Sequence, residues 1–452
     1  MKLAISLASV AAVSALAVPK DGPGFFKDQV HHAESLLGDA QSKLSTSFDE
    51  AVDFFSPGII DAIHNAKETI RDEVGEILAH KSSSHSSAST FEYDLDVVDH
   101  DLSNLTIFEI LSKSTHATKF YELVKDYENV VKLLNDSDTA STLFVPIDQA
   151  FENIPEHKKP SDEFVESLLN YHVAVGEYPA IKVLKSHTIP TAYDEPLLGG
   201  EPQRIRVSVG ISGVRLNVYS KVVAVNIKAK NGYLHAVNKI LIPPPSIGRV
   251  ISVFPSTFST LLLAYEKTDF VEYIHTIETV GSTVFAPSNS AWKRLGFKAN
   301  AFLFNTEQGK KYLKALLKYQ IVPNVTLYSD EIYYGDENEA AVPDKDNANN
   351  VDHFHLELHP LLENSSLGVD VYNWRGWASI VVNGAVKAGF IDAVGKNGVL
   401  HVVEDVPLPP HKRGGKEGNE WNGEIEVEDL IERLSEFVDD ADDQDEDWVG
   451  DL

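Results

Sequence analysis

The chain of 452 residues contains no cysteine and a single methionine. That absence excludes disulfides, thiolate nucleophiles, zinc–thiolate sites and iron–sulfur clusters together. Each domain must therefore be large enough to build its own core without staples. Basic residues are also scarce: 39 Lys and Arg stand against 68 Asp and Glu, a formal net charge of −29. Such a surface repels phosphate backbones and anionic headgroups, which argues against nucleic-acid and peripheral-membrane partners. No apolar run reaches the roughly 18–20 residues of a membrane span. The acidic end, DEDWVGDL, lacks the hydrophobic tail of a GPI-anchor signal. Also missing are a G-x-S-x-G elbow, a P-loop, a G-x-G-x-x-G after a strand and an H-E-x-x-H helix. No cofactor and no enzymatic activity are expected. A glycosidase would need two carboxylates facing each other across a cleft, and nothing local marks such a pair.

What is present begins with a leader. Residues 1–17 read as a secretory signal peptide, with Lys2, an apolar stretch and small residues at Ala15 and Ala17. Four N-x-S/T sequons, at Asn104, Asn135, Asn324 and Asn364, then predict a glycoprotein with modified surface loops. Residues 18–90 carry a helical segment and a Ser-rich linker, SSSHSSAST. Phe26, Val30, Ala33 and Leu37 recur at helical spacing, as do Ile59, Ile63, Ala66 and Ile70. Whether these helices are a propeptide stays open.

Two landmarks occur twice. Residues 231–245 read NGYLHAVNKILIPPP, and residues 397–410 read NGVLHVVEDVPLPP. Asn-Gly predicts a tight turn, both residues tolerating positive φ, and the prolines end the strand that follows. Residues 141–151 read STLFVPIDQAF and residues 282–292 read STVFAPSNSAW, so Phe144 and Phe285 are predicted to be equivalent buried anchors. A duplicated domain follows, at residues 91–245 and 248–410. Short helices succeeded by a run of strands place each in the α+β class. Residues 119–134 read as one helix. The second copy is longer, its extra residues falling in the acidic, Asn-rich stretch 336–352.

Those two blocks resemble the signature blocks of the fasciclin domain family. The resemblance covers about residues 92–411 and includes His235, Asn238 and His401. It implies two tandem domains, each a wedge of short β-strands flanked by several helices. It also implies a role in cell adhesion, or in association with extracellular matrix or cell wall. Between the blocks the family often has a Tyr-His pair, matched by Tyr171-His172; the second copy has Tyr319-Gln320. The resemblance places this region near a segment proposed to be adhesive, so Tyr171 and His172 are adhesion candidates. His172 could equally be a core histidine bonded to a backbone carbonyl, or a general base. His235 and His401 read as satisfied core histidines.

One cluster has the look of a ligand set. In the run HFHLELH, strand alternation puts His353, His355, Glu357 and His359 on one face. That makes His353, His355 and His359 a weak candidate for zinc or copper, the competing reading being the polar side of a half-buried strand. The tail, residues 411–452, is strongly acidic. It opens on Lys412-Arg413, a possible processing site, and contains an amphipathic stripe of Val427, Leu430, Ile431, Leu434, Phe437 and Val438. With so many acids facing an acidic body, a loosely held or removed tail is expected, disordered over residues 439–447. The functional expectation is a secreted, non-enzymatic protein whose partner is a cell-surface, matrix or cell-wall protein or glycan. The alternative is a vacuolar or secretory-pathway protein that docks on a partner.

Overall fold

The computed structural model describes residues 102–152, 160–210, 213–331, 352–374, 377–410 and 424–446. The expected signal peptide, the helical segment, the Ser-rich linker and the dibasic joint at Lys412-Arg413 lie outside them. The described residues divide between Pro244 and Pro245 into two units. That division falls within the stretch where the two landmark-bounded repeats meet.

The first unit opens with three helices: α1 (Ile107–Lys113), α2 (Thr118–Val124) and α3 (Glu128–Asn135). Thr106 starts α1 with a capping box, its hydroxyl accepting from the Glu109 N–H while the Glu109 carboxylate accepts from the Thr106 N–H. The single helix expected over residues 119–134 is broken at Tyr127, whose backbone is extended. Phe120 and Val124 before the break, and Val130 and Leu134 after it, enter the same core. The apolar spacing therefore runs on across a break that periodicity cannot see. Strand β1 (Ser141–Pro146) is buried at every position. A short 3₁₀ turn (Asp148–Phe151), α4 (Asp162–Tyr171), β2 (Val173–Val175) and α5 (Ala180–Val183) follow. Five strands then complete the unit: β3 (Thr188–Glu195), β4 (Glu201–Gly210), β5 (Gly213–Leu216), β6 (Ser220–Ala229) and β7 (Gly232–Val237). They pair in sequence order, and β7 returns parallel to β1 to close a barrel. Leu143 and Val145 enter one core cluster and Phe144 another, so both faces of β1 are covered and its apolar residues do not alternate with polar ones. The β3 segment, TIPTAYDE, does not read as a strand. Pro190 removes a ladder donor, and the pairing with β4 shifts register just beyond it.

The second unit repeats the plan with more helices. It runs α6 (Ile247–Val253), α7 (Pro255–Lys267), α8 (Phe270–His275), β8 (Ser282–Pro287), α9 (Asn289–Leu295), α10 (Phe297–Asn305), α11 (Glu307–Tyr319) and β9 (Ile321–Pro323). Strands β10 (Asp352–Leu358), β11 (Leu367–Trp374), β12 (Trp377–Val382), β13 (Val386–Gly395) and β14 (Gly398–Val403) precede a last helix, α12 (Val427–Glu446). The sheet order is β10-β11-β12-β13-β14-β8-β9, with β14 parallel to β8. Here the sheet stays open between β9 and β10. Leu361, just past β10, still donates its N–H to the Ile321 carbonyl at 2.8 Å. Among the described residues no single helix is long and apolar enough to cross a membrane. The bent pair α6–α7 has the composition for it, but Ile247, Ile251, Phe258 and Leu261 are buried in this unit's own core.

The Asn-Gly landmark works differently from a simple turn. Gly232 and Gly398 have φ of 143°, while neither asparagine before them has a positive φ. A Cβ on Gly232 would sit 1.7 Å from the Ser141 carbonyl oxygen, and one on Gly398 would sit 2.0 Å from that of Ser282. Glycine is required because β7 and β14 begin against the neighbouring parallel strand. Asn231 is a buried bracket: it accepts from the Ile107 N–H at 2.9 Å and donates to the Leu134 and Asp136 carbonyls. Asn397 likewise accepts from the Ile247 N–H at 2.9 Å.

The tail corrects the expectation of a loose segment. Its helix α12 packs on α10 and α11, burying Leu430, Leu434, Phe437 and Val438 in the second core, with Ile425 just ahead of it. The backbone stays helical through the acid run to Glu446. Summing charge over the whole body misjudged this docking. The surface that receives α12 includes α10, whose Lys298 pairs with Glu426, just ahead of α12, at 3.1 Å. Burying four or five apolar side chains, each contributing about 1.5–3 kcal/mol, outweighs repulsion that salt screens within about 10 Å. Gly296 also lets the tail approach, since a Cβ there would lie 2.6 Å from Glu424 Cβ.

Candidate functional site

The Tyr-His pair lies in the core of the first unit. Tyr171 and His172 are both 0% exposed. His172 Nε2 accepts from the Leu241 N–H at 2.9 Å, so its proton sits on Nδ1 and is donated to the Leu168 carbonyl at 2.7 Å. Burial drives the imidazole pKa down to about 4, the Leu168 bond opposing only part of that shift. Tyr171 donates to the Arg204 carbonyl and accepts from Asn217 Nδ2. These bonds tie α4 to the strands across the core, so the side chains cannot reach a partner in this fold. The second unit keeps the tyrosine half, with Tyr319 donating to the Ser366 carbonyl and accepting from Asn383 Nδ2. Gln320 is buried at the histidine position, and its Nε2 finds no hydrogen-bond partner.

The landmark histidines match in both units. His235 Nε2–H donates to the Tyr178 carbonyl at 2.7 Å, and its Nδ1 accepts from Asn226 N–H. His401 does the same with the Leu327 carbonyl at 2.8 Å and Asp392 N–H. Each ring stacks on its anchor phenylalanine with centroids 5.6 Å and 5.5 Å apart, on Phe144 and Phe285 respectively. Both phenylalanines are 0% exposed. Burial lowers the pKa of both imidazoles, more strongly than Asp392 raises that of His401.

A different set gathers on the outer face of β10, β11 and β12. The register pairs His353 with Tyr372, His355 with Asp370 and Glu357 with Gly368. His353 Nε2 and His355 Nδ1 both donate to Asp370 Oδ1, each at 2.9 Å. His355 Nε2 lies 3.3 Å from Glu357 Oε1. A neutral imidazole cannot donate to both carboxylates, so the bond to Asp370, reinforced by Glu357, raises the His355 pKa. Burial pushes Asp370 upward, but its two histidine donors outweigh burial and hold the carboxyl below its ordinary value. His359 is exposed, lies beyond the end of β10 and takes no part. The expected His353–His355–His359 trio is thus replaced by two histidines and Asp370. Among the described residues no group of three or more His, Cys, Asp or Glu is arranged to hold a metal ion. The His353 ring stacks flat on Tyr372, with centroids 4.4 Å apart and planes 3° apart. Trp377, on the same face, is 64% exposed. Asp370, Tyr372 and Trp377 escaped the sequence reading because strand alternation assigns a face to each strand but not the register that joins faces.

Comparison with known proteins fits this doubled plan. Residues 115–243 and 256–409 each match the fasciclin domain. The chain belongs to the fasciclin domain family. It is 29% identical to aurofusarin biosynthesis cluster protein S of Gibberella zeae, over 74% of this chain and 87% of that protein. It is 27% identical to Stabilin-2 of Rattus norvegicus over 40% of this chain, and spans only 13% of that much longer protein. Among solved structures it is similar to a FAS1 domain pair from the insect cell adhesion molecule fasciclin I. That likeness is 18% identical, covers 64% of this chain and 96% of the other, and has a TM-score of 0.33.

The sequons lie at the surface of both fasciclin domains. Asn104, Asn324 and Asn364 are exposed, and Asn135 is half-buried. Asn324 and Asn364 sit in left-handed turns, with φ of 58° and 56°. Asn135 uses only its Oδ1, which accepts from the Thr106 hydroxyl, and Asn324 likewise uses Oδ1, for the Val280 N–H.

Proposed function

We propose that this chain is a secreted, non-enzymatic glycoprotein that mediates adhesion or association with matrix or cell wall through its two fasciclin domains. The tandem family match carries this reading. Two further features support it. The repeated polar landmarks spend their hydrogen bonds on the fold, and all four sequon asparagines reach the surface after a leader-like N-terminus. The test is to express the full chain with a C-terminal tag and follow its location and its mass before and after glycosidase. Recovery from medium or cell wall, with a glycan mass removed by the enzyme, is expected, as is adhesion of protein-coated beads to cells or wall fragments. Retention of the whole pool in a vacuole or lysosome-like compartment overturns the reading.

A second reading comes from the relative named for aurofusarin biosynthesis, 87% of which this chain spans. On it, the protein is a secretory-pathway accessory that docks on biosynthetic enzymes. Co-purification of such enzymes with the tagged chain, with no bead adhesion, would favour that role.

A further inference from the structure

We propose that the outer face of β10, β11 and β12 in the second fasciclin domain is a platform for a neutral polysaccharide, bound by aromatic stacking and flanking hydrogen bonds. The inference rests on the proposed extracellular role and gives it a partner class and a place.

The aromatic part comes first. Register puts Tyr372 opposite Ser379, and Trp377 two residues from Ser379 on the same side of the sheet. Diagonal neighbours of this kind have Cα atoms about 7–8 Å apart. Trp377 is 64% exposed and Tyr372 37% exposed, so two large rings face water within reach of one ligand. A tryptophan and a tyrosine exposed side by side on one strand face forgo a large burial gain, and such aromatics are enriched at contact surfaces. Tyr372 does not swing freely, because His353 stacks on it and is itself held by Asp370. Such a ring is pre-organised, which lowers the entropic cost of binding.

The polar part lies one residue pair away. Asp370, His355 and Glu357 are linked by hydrogen bonds, and the two carboxylates retain further lone pairs to accept from a ligand's hydroxyls. A ligand matched to this face needs a flat C–H surface for the rings and hydroxyls at its rim. A pyranose has both. Strands β10, β11 and β12 contain no lysine or arginine, although exposed Lys387 on β13 lies across Val381 in the row of Asp370, so it is the net charge of −29 that disfavours anionic polymers. A basic peptide is less well matched, because Asp370 and Glu357 already answer His355. A lipid surface does not suit a face with carboxylates at its centre.

The first fasciclin domain supplies an internal control. Asn217 and Asn383 each donate to the core tyrosine and accept from a β-strand N–H, so they are equivalent. Counting along the ladders from them, Gly210 and Gly213 occupy the places of Tyr372 and Ser379. The first domain's hairpin turns there, before any aromatic ring can be placed. The platform therefore belongs to the second domain alone.

The full chain is tested for co-sedimentation with particles of β-1,3-glucan, chitin and cellulose, with polylysine-coated beads as the basic-polymer arm. Wild type is expected to bind at least one glycan. W377A and Y372A should each bind about tenfold more weakly, the usual loss for a central aromatic contact. H353A should fall between, and Val209→Ala on the matching hairpin of the first domain should change nothing. Urea melts show whether each variant folds; W377F, which keeps a ring, should retain most binding. The proposal is overturned if wild type binds no glycan above W377A, or if it binds only polylysine. A secreted protein that fails this assay sinks the platform alone, whereas an intracellular one that passes it sinks the adhesion reading alone.

Discussion

Replacing His172 by glutamine, the residue already present at the matching position of the second domain, isolates the energetic consequence of one buried imidazole. In the folded first domain the His172 pKa is lowered from 6.5 to about 4, chiefly by burial. Between those values the unfolded chain binds a proton that the folded chain refuses, so stability rises with pH there and is lost as pH falls. At 1.36 kcal/mol per unit, the loss from neutrality to pH 5 is about 2 kcal/mol, levelling off near about 3 kcal/mol below pH 4. H172Q cannot titrate, so its stability should decline about 2 kcal/mol less over that interval. At neutral pH it should start about 1 kcal/mol lower, for the hydrogen bonds it disturbs. His235 titrates in both proteins and cancels from the comparison. The assay is a pair of urea melts at each pH, read by far-UV circular dichroism and by tryptophan fluorescence. All five tryptophans lie at or beyond Trp292, so fluorescence reports the second domain while circular dichroism reports both. The mutation should move the circular-dichroism transition of the first domain and leave the fluorescence transition in place. Parallel pH profiles for H172Q and wild type would refute the reasoning.

Three other outcomes are expected. Phe144→Ala and Phe285→Ala should each destabilise their own domain by about 3–5 kcal/mol, the range for a fully buried phenylalanine; near-neutral urea melts for both would contradict the paired-anchor geometry. Leu434→Ala, at a position 0% exposed in the docked tail helix, should cost the second domain about 2–5 kcal/mol in fluorescence-detected melts, whereas an undocked tail would give no change. Imidazole resonances should show His355 titrating above 6.5, with D370N moving it down because the hydrogen bond to the Asp370 carboxylate is lost; an unshifted His355 in wild type would contradict the Asp370 contact.

The duplication, the α+β class and the two buried phenylalanines were legible in the residues themselves. Each depends on a local pattern that recurs: the STLFVP and STVFAP runs become β1 and β8, buried at every position because both faces of each strand are covered. The same local patterns misread what depends on approach. Gly232 and Gly398 looked like turn glycines, yet their place is set by a carbonyl on the neighbouring parallel strand. The 119–134 helix looked continuous because two helices bury one stripe. The tail looked repelled because net charge averages over the whole surface, whereas α12 packs chiefly on α10 and α11. Spacing left open whether His172 is a core histidine or part of an adhesive segment, and packing put it and Tyr171 in the core. By itself the sequence determined the repeats, their class and the residue types that must be inside, because burial and periodicity are properties of neighbours along the chain. Only tertiary structure decided that His353 and His355 meet Asp370 rather than His359, and that Tyr372 and Trp377 share their face. Strand register joins residues far apart in sequence, and no local spacing encodes it.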